Sequence, residues 1–143
     1  PFIALPMMGM FKCKECSSDE CDGLQLASNY LGLCYQYLND VENLIGINQV
    51  MFTDIYKGHP NGMLIKILDE LDQKNKLKVQ KNPKLLINFI DKKLFLEQEK
   101  IIKSFLKIAE NEFHRVPKVV QPVLISIKNE VRGRLENMMS KIL

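Results

Sequence analysis

The chain has few of the residues on which enzymes most often rely for catalysis. It contains no tryptophan and only two histidines among 143 residues. The usual phosphate-binding, dinucleotide-binding, zinc-protease and serine-hydrolase motifs are missing. His114 follows Glu110 at helical spacing, but such a pair forms an ion pair more often than a metal site. We therefore expect no catalytic set, metal or cofactor, and a protein that is not an enzyme.

Long apolar runs are also missing. No stretch of 18 uninterrupted apolar residues occurs, which argues against a membrane-spanning segment. The N-terminal stretch PFIALPMMGMF is apolar, but it is too short to span a bilayer and contains two prolines. The chain begins with Pro rather than Met, which is compatible with a removed leader and equally with an arbitrary boundary.

Acidic and basic residues are unequally distributed along the chain. Residues 1–73 carry four lysines and ten acidic residues, giving −6, whereas residues 74–143 carry sixteen basic and seven acidic residues, giving +9. Such asymmetry can mark an anionic partner, but we expect instead that the two halves form separate faces of one bundle that attract each other weakly. The densest basic run, KNKLKVQKNPK, has no arginine and no aromatic residue. Because nucleic-acid sites use both, no nucleic-acid partner is predicted.

Apolar residues recur at helical spacing over most of the chain, while the single alternating run KLKVQK cannot form a sheet alone. The clearest stripe advances in steps of mostly three and four residues through Leu24, Ala27, Leu31, Cys34, Leu38, Val41 and Ile45. A hydrophobic content of 46% in 143 residues is enough for one core. The sequence therefore predicts a single all-α domain over residues 1–143, a bundle of five or six helices.

Capping residues indicate where the first helices begin and end. Ser17 or Asp22 can cap the first helix, because each is followed three residues later by Glu or Gln. Gly46 is a suitable C-terminal cap. The segment 47–58 could form a short helix and leads into the turn KGHPNG. A further helix is expected from Met63 to about residue 73, followed by the lysine-rich run as a connector.

Prolines delimit the helices of the second half. Asn82 and Pro83 form a helix start, with Asn as cap and Pro in the first turn. The helical pattern then continues to Phe113, and we predict a break between Leu94 and Glu97, with one bent helix as the alternative. The prolines at 117 and 122 precede a last helix, whose predicted stripe is Val123, Ile127, Val131, Leu135, Met138 and Ile142.

The four cysteines raise a choice between a zinc site and disulfides. Cys13, Cys16 and Cys21 lie close together, and Cys34 falls in the apolar stripe of the first helix. This spacing departs from zinc knuckles and ribbons, and no βαβ pattern accompanies the C-x-x-C for a redox motif. An even, clustered set favours two disulfides and an oxidising compartment. We therefore expect a secreted protein.

Helix geometry restricts how these cysteines can pair. Cys34 lies about 15 Å along the first helix from residue 24, at 1.5 Å per residue. A disulfide needs Cα atoms about 5.5 Å apart, so Cys21 is too distant from Cys34. Cys34 is therefore expected to pair with Cys13 or Cys16, and Cys21 with the other. Either pairing would tether the N-terminal segment, residues 1–22, along the bundle.

Two classes of function remain. In the first, the secreted bundle carries an apolar ligand, a fatty acid or another lipid, in its core. The predicted wall is Phe89, Phe95, Ile101 and Phe105, and the predicted contacts to an anionic headgroup are Lys92, Lys93, Lys100 and Lys103. In the second, the protein is a helical effector of cytokine-like build that binds an acidic receptor surface. A carrier needs an apolar cavity, whereas an effector needs a filled core and an exposed patch. The sequence leaves the oligomeric state open.

Overall fold

A computed structural model of the protein describes residues 17–46 and 61–142, apart from the side chain of Ile87. These residues form five α-helices, namely α1 (Ser18–Ile45), α2 (Gly62–Glu70), α3 (Gln73–Lys81), α4 (Lys92–Glu112) and α5 (Gln121–Ile142). Two 3-10 helices, Pro83–Phe89 and Phe113–Arg115, lie before and after α4. The predicted all-α bundle is confirmed. Within the described ranges, no helix has the length and apolarity needed to cross a membrane.

Helix α1 has the boundaries that its capping residues indicate. The amide of Glu20 donates to Ser17 Oγ at 3.3 Å, and the amide of Ser17 donates to Glu20 Oε2 at 3.1 Å. This reciprocal capping box selects Ser17 over Asp22 as the cap. At the other end Gly46 has φ of 73°, a left-handed conformation that glycine adopts without a steric penalty.

Helix α2 is attached to the end of α1 by polar contacts. Asn61 caps α2, because its Oδ1 accepts from the Leu64 amide at 3.0 Å, and its Nδ2 donates to the Asp40 carbonyl at 3.1 Å. The amide of Gly62 donates to Asp40 Oδ2 at 2.8 Å. The predicted short helix at 47–58 and the segment 1–16 lie outside the described residues.

The region between α2 and α4 differs from the sequence-based interpretation. The lysine-rich run forms helix α3 rather than a connector, with Asp72 as its cap. The predicted break between Leu94 and Glu97 is wrong, because α4 is continuous through these residues. The break lies earlier, at Ile90 and Asp91, between the end of the 3-10 helix and the start of α4. The carboxylate of Asp91 accepts from the Lys93 amide at 3.0 Å. A side-chain cap therefore fixes the new helix start.

Helix α1 lies at the centre of the bundle and packs on α4, α5 and α2. Its buried face includes Leu24, Leu31 and Leu38, all with no exposed surface. The buried face of α5 begins one residue later than predicted, because Leu124 is fully buried whereas Val123 is 49% exposed. The remaining predicted positions of α5 lie in or against the core.

Ion pairs join the acidic first half of the chain to the basic second half. Arg115, in the 3-10 helix after α4, donates to Asp19 Oδ1 on α1 at 2.7 Å. Arg134 on α5 forms an ion pair with Glu42 on α1. Both pairs link residues that are more than ninety positions apart. The asymmetric charge of the sequence therefore contributes to holding α5 and the end of α4 against α1.

Candidate functional site

A groove between α4 and α5 is one of the concave surfaces that the described residues form around buried or partly buried side chains. Its volume is about 760 Å³, within the range of about 300–1,000 Å³ that is usual for ligand sites. Helix α4 contributes one side of the groove and α5 the other. The residues from α4 are Glu99, Lys103, Leu106, Lys107 and Glu110, and those from α5 are Arg132, Leu135, Glu136 and Met139. The groove is open to solvent along one side, so a ligand in it would stay partly exposed.

The groove has an apolar floor because of the spacing of its residues along the two helices. Leu106 on α4 and Leu135 and Met139 on α5 are at most 7% exposed. Leu135 and Met139 are separated by one helical turn, so their side chains lie on one face of α5. Charged residues occupy the adjacent positions on both helices. The floor is therefore apolar and the rim is charged.

The charges of the rim are mostly paired. Lys103 and Glu99 form an ion pair at 2.6 Å. Glu110 accepts from Lys128 Nζ at 2.8 Å and from Arg132 Nη2 at 3.1 Å. The hydrogen bond from Lys128 lowers the pKa of Glu110, which keeps this carboxylate ionised.

Two rim charges differ from the others. Lys107 and Glu136 form no ion pair with any residue in the described ranges. Lys107 is exposed, on the α4 side of the groove. A cation beside an apolar floor can bind an anionic group without first breaking an internal ion pair. Lys107 is therefore the rim residue best suited to meet a ligand carboxylate.

A second concave surface of about 440 Å³ lies where α1, α2 and α4 meet. Its lining includes Tyr37, Lys66, Gln98 and Ile101. Gln98 is only 5% exposed, and its Oε1 has no hydrogen-bond partner among the described residues. Lys66 forms an ion pair with Glu97 at the edge of this surface. Its smaller volume leaves less room for a hydrocarbon chain than the groove offers.

The predicted apolar wall is divided between several environments. Phe95 is 4% exposed in the core, and Phe89 is partly buried against the core. Ile101 lines the smaller concave surface. The ring of Phe105 lies 5.5 Å from Tyr30 and 5.6 Å from Tyr37, measured between ring centroids. These four side chains line no single cavity among those described here.

The four predicted headgroup contacts lie on the opposite side of α4 from the core. Lys92, Lys93, Lys100 and Lys103 are all exposed. Lys103 lines the groove, whereas the other three lie outside its lining. The helical repeat explains this separation, because residues three or four apart share one face of a helix, and these lysines lie off the face that carries the buried apolar residues of α4. The structure therefore brings Lys103 alone of this set to the candidate site.

Cys21 and Cys34, the two cysteines that the structure describes, are not bonded to each other. Both lie on α1, thirteen residues apart, which corresponds to about 20 Å at 1.5 Å per residue. A disulfide between them is therefore excluded. Cys34 is fully buried, its Sγ lies 3.7 Å from the Ile102 carbonyl oxygen, and burial raises its pKa to about 12. Cys13 and Cys16 lie outside the described residues, so the proposed pairing with them stays a prediction.

The sequence-based reasoning missed Leu106 and Leu135 as site residues. Leu135 is recognisable in the stripe of the last helix, but that stripe indicates a core position and not a groove floor. The flanking charges of α4 and α5 resemble an ordinary solvated surface. No metal centre could be assembled instead, because no three His, Cys, Asp or Glu side chains converge within residues 17–46 and 61–142.

Comparison of the chain with protein-family models, with curated proteins and with solved structures finds no match.

Proposed function

We propose that the protein is a non-enzymatic carrier that binds a single-chain amphiphile with an anionic end, such as a fatty acid, along the α4–α5 groove. The observation that carries this proposal is an apolar floor of Leu106, Leu135 and Met139 beside the unpaired cation Lys107. The hydrocarbon chain would cover the floor, since burial of apolar surface is favourable. The anionic end would then lie at Lys107 and Lys103.

The surface groove is preferred over the core as the ligand position. The most buried apolar side chains of the described residues form one packed cluster, with Leu24, Leu86 and Ile102 fully inaccessible to solvent. An apolar ligand inside this cluster would have to displace close-packed side chains, which costs free energy. The groove needs no such rearrangement. The carrier interpretation is therefore kept, with its binding site moved to the surface between α4 and α5.

The test compares a fatty acid with its uncharged methyl ester. We expect a fluorescent long-chain fatty acid to bind the wild-type protein saturably. The double variant Lys103→Gln/Lys107→Gln should bind it about fivefold more weakly, because partly exposed ion pairs contribute up to about 1 kcal/mol. The methyl ester should bind both proteins equally. The matched control Lys118→Gln/Lys141→Gln removes two exposed lysines outside the groove lining and should leave the affinity for the fatty acid unchanged.

Two results would contradict the groove as the site. The first is a loss of affinity for the methyl ester as large as the loss for the fatty acid. The second is that Phe105→Ala abolishes binding of the fatty acid whereas Lys103→Gln/Lys107→Gln leaves it unchanged. That second result would return the site to the aromatic side chains between α1 and α4, where Phe105 contacts Tyr30 and Tyr37.

A protein-binding effector is the second candidate, and one observation favours it. Leu26 and Leu33 of α1 are 37% and 36% exposed, and their spacing of seven places them on one helical face. Tyr30 and Tyr37 lie beside them at the same spacing and are partly buried. An aromatic and apolar strip of this kind is typical of surfaces that bind another protein. Native mass spectrometry without any lipid adduct, together with no fatty-acid binding, would favour the effector.

We further propose a secreted location and an N-terminal loop tethered by two disulfides. This proposal rests on the even number and clustered spacing of Cys13, Cys16, Cys21 and Cys34. The measurement is the mass of the denatured, unreduced protein. A mass lower by four hydrogens than that of the reduced chain would support two disulfides, and a full-thiol mass would contradict both the tether and the argument for an oxidising compartment.

A further inference from the structure

The outer surface of α3 combines a high density of lysines with an exposed leucine. Between Gln73 and Ile90 the sequence has five lysines and no acidic residue. The name basic surface is used for Lys74, Lys76, Lys78, Lys81 and Leu77 of α3 together with Lys84 of the 3-10 helix that follows. It lies on a different part of the molecule from the α4–α5 groove, whose lining contains none of these residues.

Helix α3 exposes this surface because only one of its residues is buried. Val79 is 4% exposed and faces inward. Leu77 is 51% exposed, and Lys74 and Lys81 lie three residues before it and four after it. Residues at these spacings share one face of a helix. The outward face of α3 therefore presents Leu77 between two lysines.

The lysines of the basic surface have no acidic partners. None of the five forms an ion pair with any residue that the structure describes, in contrast to Lys66, Lys103 and Lys128, which each pair with a glutamate. The nearest acidic residue in the sequence, Asp72, is used as the N-terminal cap, where its carboxylate accepts from the Asn75 amide at 2.7 Å. The positive charge of the surface is therefore not neutralised within the described chain.

We propose that the basic surface binds an anionic phospholipid bilayer, with the lysines at the headgroups and Leu77 inserted at the boundary of the acyl chains. Clustered lysines are attracted to an anionic leaflet, and an apolar side chain at their centre adds hydrophobic attachment. A nucleic-acid partner is less favoured, because the run contains no arginine and its one aromatic residue, Phe89, lies partly buried at its end. This inference is independent of ligand binding in the groove.

Co-sedimentation with phosphatidylcholine vesicles, with and without phosphatidylserine, tests the proposal on the full chain. We expect wild-type protein to bind the anionic vesicles and not the neutral ones, and binding to weaken as salt is added. Lys74→Gln/Lys81→Gln should lower the partition coefficient about thirtyfold, since each lysine contributes about fivefold. Leu77→Gln should lower it about tenfold, with no change in salt dependence.

Matched variants separate this surface from general charge effects. Lys118→Gln/Lys141→Gln removes the same number of exposed lysines elsewhere and should bind vesicles like wild type. Lys103→Gln/Lys107→Gln should also bind vesicles like wild type. Failure of the groove proposal would therefore be seen in fatty-acid binding, and failure of the basic-surface proposal in vesicle binding. Equal binding to neutral and anionic vesicles, an equal loss in the Lys118/Lys141 control, or binding of a DNA duplex but of no vesicle would each overturn the proposal.

Discussion

The guanidinium of Arg134 donates two hydrogen bonds to the carboxylate of Glu42, from Nε to Oε1 at 3.1 Å and from Nη2 to Oε2 at 2.8 Å. Glu42 is 5% exposed, so this pair lies largely out of water. The Nη2 atom also donates to Asn39 Oδ1 at 2.7 Å, and the guanidinium lies 5.1 Å from the centre of the Tyr35 ring. These contacts fix α5 against α1 and thereby hold one side of the groove in place.

Removal of Arg134 is predicted to destabilise the protein strongly. Arg134→Met leaves the buried carboxylate of Glu42 without its partner, and breaking a buried pair in this way costs about 3 kcal/mol. Arg132→Met, two residues along the same helix, breaks an ion pair whose arginine is 49% exposed, and it should cost less than about 1 kcal/mol. Urea denaturation measures both values. Equal losses for the two variants would show that the buried pair has no special role.

Two glycines on helices are predicted to respond to alanine with opposite signs. A Cβ at Gly23 would lie 2.7 Å from Cβ of Arg115, whereas a Cβ at Gly133 would meet nothing within 4 Å. Gly23→Ala should therefore destabilise the fold by about 2 kcal/mol through overpacking. Gly133→Ala should stabilise it by about 1 kcal/mol, because alanine is the better helix former. Thermal denaturation distinguishes the two; a stabilised Gly23→Ala variant would contradict the close approach of α1 to residue 115.

The sequence predicts the helices best where a cap and a periodic stripe agree. Ser17 and Gly46 mark α1 for this reason. The break before α4 was misplaced because Leu86 and Leu94 keep helical spacing across it and both are buried against the same core. Periodicity reports which residues face the core, but it does not report whether the backbone between them is continuous. The cap at Asp91, whose carboxylate accepts from the Lys93 amide, carries that information.

The groove was beyond sequence reasoning for a different reason. Leu106 and Leu135 have the pattern of core residues, and they are indeed buried. Whether they also form the floor of a groove depends on the separation of α4 and α5, which is set by how each helix packs on α1. The distance between α4 and α5 is a property of the tertiary structure, and local sequence patterns do not predict it. The positions of the lysines could be predicted, but not which of them would lie beside an apolar floor.

The two described thiols are predicted to react at very different rates in the reduced protein. Cys34 is fully buried and its pKa is raised to about 12 by burial, whereas Cys21 is partly exposed near the start of α1. Because the thiolate is the reactive species, iodoacetamide should label Cys21 well before Cys34 at neutral pH. Peptide mapping of a labelling time course measures the ratio. In denaturant both should react alike, and equal rates in the native protein would contradict the packing of α1 on α4.

The ion pairs of Glu110 are predicted to make stability depend on pH. Lys128 and Arg132 hold the pKa of Glu110 below its ordinary value in the folded protein. Between the folded and unfolded pKa values, the unfolded chain binds more protons, so stability rises with pH in that window. The contribution is complete above the unfolded value of about 4.3 and is lost as the pH falls through the folded value.

The measurement is the difference in free energy of unfolding between wild type and Glu110→Gln, obtained by urea denaturation at neutral pH and at about pH 3. The difference should be about 1 kcal/mol at neutral pH, since Lys128 is mostly buried whereas Arg132 is partly exposed, and smaller in acid. Glu136→Gln, on the other side of the groove, removes a carboxylate with no ion pair in the described chain and should change stability little at either pH. A Glu110→Gln difference that is equal at both pH values would mean that the carboxylate is not held by these cations when the protein is folded.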